Sequence, residues 1–352
     1  MSRVLTLLAL ALVVALPTPA AAAPPPEEPL RLGPLPHRTR NPLYILHLQP
    51  GPRRARTLDL GVFEFQVQVD ASNVWEKWSR VVAEGVQLED IDMELIRTAF
   101  TARVGLPLGF EFAVEVPFVT LVGGITDGPI QAWHRLLNAE NGGRDWVRND
   151  RFNYEIQLPH KLSYSVDRPV TWGFGDITTE LSVQFLKPRG PVPGLSGRFM
   201  LKLPTGRVER GTGSGDPDLA AVLHFEHGFR RFAVYGSAGV IILGREGVLG
   251  EVLRPASFTW TSAVEVGLTP GWSLIAQLHG NTAFHQGFVH RFISWSPVAA
   301  GFGTKVRLGA MDIALGMEQD ILNGDPAADV TVFIDASWRV GGAPAVRPQP
   351  EP

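Results

Sequence analysis

The chain has 352 residues, no cysteine and a formal net charge of −3. Without cysteine the protein has neither disulfide bonds nor thiolate chemistry. The small net charge excludes nucleic-acid binding that is driven by electrostatics, because such binding requires a clear excess of basic residues.

The N-terminus has the three parts of a secretory signal peptide. Arg3 is followed by an apolar run over residues 4–16 and then by small residues at 20–23. The apolar run is shorter than the roughly 18 residues that a transmembrane helix needs. We therefore predict that the chain is exported and that residues 1–22 are removed by cleavage after Ala22.

Residues 23–56 are rich in proline and arginine. This composition is typical of extended segments that carry little regular structure. We predict a flexible periplasmic segment that leads into the folded part of the chain.

From residue 57 onward, apolar and polar residues alternate in many separate runs. Phe63, Phe65 and Val67, for example, alternate with Glu64 and Gln66. A period of two predicts strands that have one apolar and one polar face. The runs lie at 58–70, 88–104, 110–118, 152–166, 174–186, 197–203, 218–226, 231–243, 257–268, 272–283, 298–308, 311–320 and 330–340.

The connection between the first two runs is predicted to be an extracellular loop that holds Trp75 and Trp78. In the second run, the apolar positions change phase between Leu95 and Ile96. Such a change predicts a β-bulge, because one extra residue turns the following side chains to the other face.

Export, many alternating strands and the lack of any apolar run long enough to cross a membrane as a helix predict a bacterial outer-membrane β-barrel. A periplasmic β-sandwich is the alternative. A bacterial barrel has an even number of strands, both ends in the periplasm, and short periplasmic turns. Short connections lie at 105–109, 227–230, 269–271 and 309–310.

This parity leaves one run surplus, and we assign 152–166 to a long extracellular excursion over 123–172. The predicted fold is all-β, a single antiparallel transmembrane β-barrel of about 12 strands over residues 57–340. A barrel of about 14 strands is the alternative, with an additional strand in 141–172 or before Leu58. Residues 341–352 are predicted to form a disordered tail.

The excursion contains a predicted short helix over 130–138. Trp133, Leu136 and Leu137 are spaced so that they share one helical face. An isolated exposed helix does not leave such a face bare. We predict that these three residues plug the extracellular mouth of the barrel, or that the helix rests at the lipid boundary through Trp133.

Several short motifs carry a resemblance to a known family. They are GFGDI at 173–177, LKLPTG at 201–206 and GSGD at 213–216 with Asp218, together with NPL at 41–43, Trp133-His134 and NGGRD at 141–145. These segments resemble a family of uncharacterised Gram-negative outer-membrane barrels and, more distantly, the barrels of phenol-degradation operons. The resemblance covers about residues 41–340 and implies an outer-membrane barrel without an established activity. The phenol-type relatives imply passage of small aromatic or apolar compounds.

Charged residues of the predicted strands lie on the face opposite to the apolar residues. A charged side chain on the lipid face costs about 2–4 kcal/mol at mid-bilayer, so these residues are expected to face the lumen. Either they pair with one another and fill the barrel as a polar core, or they line a pore as a selectivity ring. The predicted lumen-lining residues are Glu64, Glu94, Arg97, Arg103, Glu111, Glu115, Glu180, Arg198, Lys202, Lys305 and Arg307.

Opposite charges also flank three of the short turns. We predict that they form cross-strand pairs that fix the register, because a slip by one residue would turn them toward lipid. The predicted pairs are Arg103 with Glu111, Glu226 with Arg231, and Arg307 with Asp312.

The histidines do not form a recognisable catalytic or metal-binding pattern. His224 and His227 would point to opposite faces of one strand. No nucleophile elbow accompanies the loop histidines or Ser294, and the glycines of 211–215 lack the Lys-Ser/Thr pair of a phosphate-binding loop. We therefore predict no enzymatic activity, no metal and no cofactor.

These observations together predict a passive channel or small-solute transporter of the bacterial outer membrane. Its expected partners are outer-membrane lipid and a small solute, without nucleic acid, and the sequence does not indicate an oligomeric state. A structural or surface-interaction barrel with a plugged lumen is the first alternative, and a lipid-acting barrel enzyme is the second.

Overall fold

The computed structural model describes residues 31–36, 38, 41–137, 147–322 and 330–341. The predicted signal peptide and almost all of the predicted tail lie outside these residues. The fifteen strands are β1 (Phe63–Val82), β2 (Gly85–Gly105), β3 (Phe110–Val122), β4 (Asn153–Leu158), β5 (Leu162–Ser165), β6 (Val170–Phe174), β7 (Thr178–Leu186), β8 (Gly194–Lys202), β9 (Asp218–Phe229), β10 (Phe232–Ile242), β11 (Ala256–Thr269), β12 (Trp272–Asn281), β13 (Val298–Leu308), β14 (Met311–Leu322) and β15 (Thr331–Val340). The helices α1 (Asp127–Leu137) and α2 (Arg291–Ser294) interrupt them.

All fifteen strands belong to one antiparallel sheet, and twelve of them close into a barrel. The ring runs from β1 through β2, β3 and β7 to β15, and β15 pairs again with β1. The remaining strands are additions at one end: the β4–β5 hairpin pairs with β2, and β6 pairs with β3. The prediction of a twelve-stranded barrel is confirmed, and 152–166 lies outside the ring as predicted.

The two faces of the barrel wall have the chemistry that the alternation predicts. On β3, Glu111, Ala113 and Glu115 are buried inside, whereas Phe112 is 41% exposed on the outer surface. Outward positions of the other strands are also large and apolar, as at Phe199, which is 59% exposed. A continuous apolar band around a closed barrel is typical of a lipid-facing wall, since a soluble protein would hide it.

The connections divide the barrel into two distinct ends. The turn end holds Phe63, Val340 and the short connections 106–109, 187–193, 230–231, 270–271 and 309–310. The loop end holds the longer connections, including the excursion after β3. The excursion and the 105–109 turn therefore lie at opposite ends, as the loop lengths predict.

The hairpin of β1 and β2 corrects two details of the sequence analysis. Its pairing runs without a register shift from Phe63↔Val104 to Val82↔Gly85. The predicted loop around Trp75 and Trp78 is therefore strand, and the predicted bulge between residues 95 and 96 is absent. The apolar phase changes because the surroundings change: beyond the rim, the inward side chains join an apolar cluster instead of a polar interior.

This uninterrupted pairing also corrects the position of Glu94. Glu94 is three positions away from the inward-facing Arg97 on the same strand. Because side chains alternate along a strand, Glu94 lies on the outward face of β2. Its carboxylate accepts the backbone N–H groups of Ile125 and Thr126 at 2.8 and 2.5 Å. Glu94 therefore fixes the start of the excursion and does not line the lumen.

One of the three predicted register pairs forms. Arg307 is paired directly with Asp312, and its Nε donates to Oδ1 at 2.5 Å. The other two predictions are wrong because the strands extend further than the alternation shows. Gly105 instead of Arg103 lies opposite Glu111, and Arg231 lies within a two-residue turn while Glu226 pairs with Tyr235.

Candidate functional site: a plug inside the barrel

A segment before the first strand runs through the barrel interior, and we call its described residues within 31–58 the plug. It begins near the turn end, where the N–H groups of Leu32 and Gly33 donate to Glu265 of β11 at 2.8 and 3.0 Å. It reaches the loop end at a 3₁₀ turn over Tyr44–Leu46. It then returns to the turn end, where the N–H of Leu58 donates to Glu111 at 3.0 Å.

This course differs from the flexible periplasmic segment predicted for residues 23–56. The composition alone indicated a linker, because prolines and arginines have no periodicity that predicts a packed element. Inside the barrel, proline lacks an N–H that would otherwise need a partner. The arginines find partners on strands that are distant in sequence, so no local pattern predicts the contact.

Three arginines of the plug bind carboxylates of the barrel wall. Arg38 forms a two-pronged contact with Glu115, with Nη–Oε distances of 2.7 and 2.5 Å. Arg53 reaches Glu111 at 2.7 Å. Paired guanidinium–carboxylate contacts of this kind fix both position and orientation.

The third arginine repeats the arrangement on another part of the wall. Arg54 donates to both carboxylate oxygens of Glu226 on β9, at 3.2 and 2.9 Å. The neighbouring N–H of Ala55 donates to the same carboxylate at 3.0 Å. Glu226 is 1% exposed, so its charge is compensated by the plug instead of by water.

The predicted lumen-lining residues divide into three groups by their contacts. The first group is Glu94 alone, which lies on the outward face of β2 as described above. A second group pairs within the wall: Glu64 with Arg103 at 2.9 Å, and Arg307 with Asp312. The remaining residues contact the plug or its partners, and these are Arg97, Glu111, Glu115, Glu180, Arg198, Lys202 and Lys305.

The motifs at 173–177, 201–206 and 213–218 converge on one buried amine. Lys202 Nζ donates to Asp176 Oδ2 at 2.7 Å, to Ser214 Oγ at 2.6 Å and to the carbonyl of Leu46 in the plug at 3.1 Å. Asp218 Oδ2 lies 3.3 Å from the same amine. These motifs thus share a structural role: they attach the part of the plug around Leu46 to the barrel.

An apolar cluster closes the loop end above the charged layer. Tyr44 of the plug stacks on Phe284 with ring centroids 4.4 Å apart. The cluster also contains Leu43, Leu46 and Leu48 of the plug and apolar residues of β1, β2, the β4–β5 hairpin and the loops before β11 and β13. His285 lies within this region and is fully buried. Among the described residues, neither of its ring nitrogens has a hydrogen-bond partner.

The excursion contributes a helix, but its described contacts lie outside the lumen. The carboxylate of Asp127 at the start of α1 accepts from Asn73 at 3.0 Å, and Asn73 lies on the outward face of β1. Leu136 is 75% exposed, so it does not fill the barrel mouth. The side chains of Trp133 and Leu137 lie outside what the structure describes.

Among the described residues, at least four cavities remain between the plug and the wall, and two of them are larger than about 10 Å³. The larger has a volume of about 140 Å³ and lies toward the turn end, between the plug and residues of β1, β2, β3, β7, β8, β13, β14 and β15. The smaller has about 30 Å³ and lies beside Pro117, Gly175 and Lys202. The plug therefore fills the described lumen without a wide passage, but it leaves space toward the turn end.

The sequence analysis missed the arginines of the plug. One signal was available: beyond the lumen-lining residues named above, the inward positions also include Asp176, Asp218, Glu226, Glu265, Asp312 and Asp335. With these residues the carboxylates outnumber the cations, which calls for a basic partner inside the barrel. Composition cannot show which segment supplies that partner.

The histidines show no catalytic arrangement in the described part of the chain. His224 is buried inside the barrel, and His227 lies on the other face of β9. The hydroxyl of Ser294 donates to the backbone carbonyl of His290 at 2.8 Å, whereas the ring Nδ1 of His290 contacts Glu89 at 2.8 Å. Within the described ranges, no group of three or more His, Asp or Glu side chains is placed to hold a metal ion.

Comparison with protein families now adds to the geometry. Residues 10–340 match the model of a family described as "Protein of unknown function (DUF3187)". The chain belongs to this family. The match confirms the predicted resemblance to a family of uncharacterised barrels. A comparison with curated proteins gave no match.

Solved structures are similar to this DUF3187 protein in fold. The COG4313 outer membrane channel from Pseudomonas putida F1 has 12% identity and a TM-score of 0.55, over 83% of this chain and 100% of that chain. The NanC porin has 7% identity and a TM-score of 0.44, over 78% and 98% of the two chains. None of the helices within the described residues is long and apolar enough to cross a membrane. The likeness to the first structure shows that the fold is shared with an outer-membrane channel.

Proposed function

We propose that this DUF3187 protein is a channel for small solutes in the bacterial outer membrane and that its own plug closes it. The predicted signal peptide, the closed barrel and the apolar outer band support this location. The strands of the ring have nine or more residues, which suits the roughly 9–11 residues of a transmembrane β-strand. The turn end then faces the periplasm and the loop end faces the exterior. The fold shared with a channel supports a transport function.

The observation that carries the proposal is the way in which the plug is held. Among the described residues, no β-bridge joins the plug to a barrel strand. Its contacts are ion pairs, side-chain hydrogen bonds and apolar packing. The plug can therefore leave its position without breaking any strand ladder, which a wall element could not do.

The energetics of these contacts also suit a closure that opens. The attraction within a buried ion pair is largely offset by the cost of removing both charges from water. When the plug moves, water can enter and solvate Arg53, Arg54 and their partner carboxylates. If the plug were held by an apolar core of the same size, exposing that core to water would have no favourable solvation to offset its cost.

Conductance of the refolded protein in a planar bilayer tests the proposal. We expect brief, rare openings of the full chain and a continuous, larger conductance after deletion of 31–56. Substitution of Arg38, Arg53 and Arg54 by glutamine should increase the open time, because these contacts fix the plug. Arg307→Gln is the control, since Arg307 pairs within the wall.

The structural barrel remains the competing function. It predicts that deletion of 31–56 leaves conductance at the level of the full chain while the barrel stays folded. Folding is checked by the slower electrophoretic migration that the sample shows after heating. A folded and non-conducting deletion variant would contradict the channel.

A further inference from the structure

The larger cavity is bordered by a row of three residues on neighbouring strands. Lys305 on β13 lies directly opposite Ala314 on β14, and Ala314 lies directly opposite Asp335 on β15. All three line the cavity. Since adjacent strands are about 4.8 Å apart, the backbones of Lys305 and Asp335 are separated by about 10 Å. On the wall, the small residue Ala314 lies between a cation and an anion.

Neither charge of this row has an ion-pair partner among the described residues. Asp335 is 6% exposed and accepts a hydrogen bond from the side-chain amide of Gln66. Lys305 Nζ donates to the carbonyls of Pro34 and Leu32 in the plug at 2.6 and 3.4 Å. An ammonium group has three donors, so it can also serve a further acceptor.

Several other charges beside the same cavity are held in ion pairs. Glu64 contacts both Arg103 and Arg339 at 2.9 and 2.8 Å. Asp312 is paired with Arg307. The row of Lys305 and Asp335 therefore stands out as two separated charges that face open space. Burial of a charge is costly unless an opposite charge compensates it.

We propose that this cavity binds small zwitterionic solutes of the amino-acid type. The carboxylate of the solute contacts Lys305, its ammonium group contacts Asp335, and its side chain lies over Ala314. The inference rests on the proposed function, because it names the class of solute that the channel takes. A solute with one charge would compensate only one of the two charges, Lys305 or Asp335.

Equilibrium dialysis of the full-length protein in detergent, with radiolabelled L-alanine, tests this assignment. Lactate and ethylamine are the competitors, since each carries one of the two charges of alanine. The variants are Asp335→Asn, Lys305→Met and Ala314→Leu. Lys305→Met also weakens the plug, whereas Ala314→Leu keeps both charges and fills the space between them. Thr261→Val, an inward position on β11 that does not line the cavity, is the control.

We expect saturable binding of L-alanine to the natural protein and to Thr261→Val. Each charge variant should lower the affinity about tenfold, which is the usual effect of losing one hydrogen bond to a charged group. Ala314→Leu should remove binding, and neither competitor should displace alanine at equal concentration. Unchanged affinity in both charge variants, or no saturable binding to folded natural protein, would overturn the proposal.

Two further outcomes separate this inference from others. If ethylamine displaces alanine fully and Lys305→Met has no effect, the cavity is a cation site and the zwitterion assignment is wrong. Dialysis does not depend on conductance. Binding without any conductance would contradict only the channel, and conductance without binding would contradict only the solute class.

Discussion

At the scale of single residues, the most consequential side chain is the amine of Lys202. It lies between Asp176 and Asp218 and also reaches the plug. Lys202→Met leaves two buried carboxylates without their cation. Breaking a buried pair in this way costs about 3–5 kcal/mol. Denaturant unfolding of the refolded protein should show this loss.

The control for this prediction is Lys187→Met. Lys187 is exposed in the connection between β7 and β8, and its loss should change the free energy of unfolding little. If both variants have the same free energy of unfolding, Lys202 does not stabilise the part of the plug around Leu46.

His285 provides a prediction about pH. Burial within the loop end, together with the nearby His47, holds the pKa of His285 well below its usual range. In acid, the unfolded chain therefore binds a proton at His285 that the folded state does not bind. Stability is fully present above the unfolded pKa of about 6.5 and falls as the pH decreases below it, by up to about 1.4 kcal/mol per pH unit.

His285→Phe should reduce this acid sensitivity, because phenylalanine keeps an aromatic ring and cannot take up a proton. His160→Asn is the control, since His160 is exposed in the β4–β5 turn. The measurement is the free energy of unfolding at pH 7.5 and pH 5 for the three proteins. An unchanged slope in His285→Phe would show that other groups cause the acid sensitivity.

The pair of Arg307 and Asp312 tests whether charges fix the strand register. A cross-strand ion pair contributes about 0.2–1 kcal/mol. Each single reversal, Arg307→Asp or Asp312→Arg, places like charges opposite each other and should lower the free energy of unfolding. The double reversal should restore part of the loss, although Arg339 lies 3.7 Å from Asp312 and then repels its replacement. Strictly additive losses in a double-mutant cycle would mean that the pair has no role in register.

At the scale of elements, alternation and loop length were sufficient for the ring of strands. Each transmembrane strand has one face toward lipid and one toward polar groups, so the pattern of period two is strong. The same reasoning fails beyond the rim, as in the β1–β2 hairpin. There the inward side chains Ile91, Met93 and Leu95 are fully buried in apolar surroundings, and the phase change imitates a bulge.

The contacts between the plug and the wall were harder to predict from the sequence than the strands. Strand parity places Glu111, Glu115 and Glu180 inside, but it does not show what compensates them. Their partners Arg38 and Arg53 belong to a segment without periodicity. A contact between two such regions depends on the closed shape of the barrel, which no local pattern contains.

At the scale of the whole molecule, the contents of the barrel change along its axis. An apolar cluster around Tyr44 closes the loop end, the pair of Arg38 and Glu115 lies further inside, and Arg53 and Arg54 bind Glu111 and Glu226 near the turn end. The larger cavity also lies toward the turn end and borders these three arginines. In the proposed channel, a solute that enters from the turn end meets the cavity first, and the plug separates it from the other side.

This arrangement predicts which of two segments controls permeability. The plug lies within the lumen, whereas α1 is attached through Asp127 to the outward residue Asn73, and Leu136 is exposed. Deletion of 128–148 should therefore leave conductance in a planar bilayer close to that of the full chain. Deletion of 31–56 should raise it, because only that deletion empties the lumen. Both variants should keep the heat-dependent migration of a folded barrel, since neither loses a strand of the ring. A conductance that rises on removal of 128–148 and stays low on removal of 31–56 would assign the closure to the excursion instead of the plug.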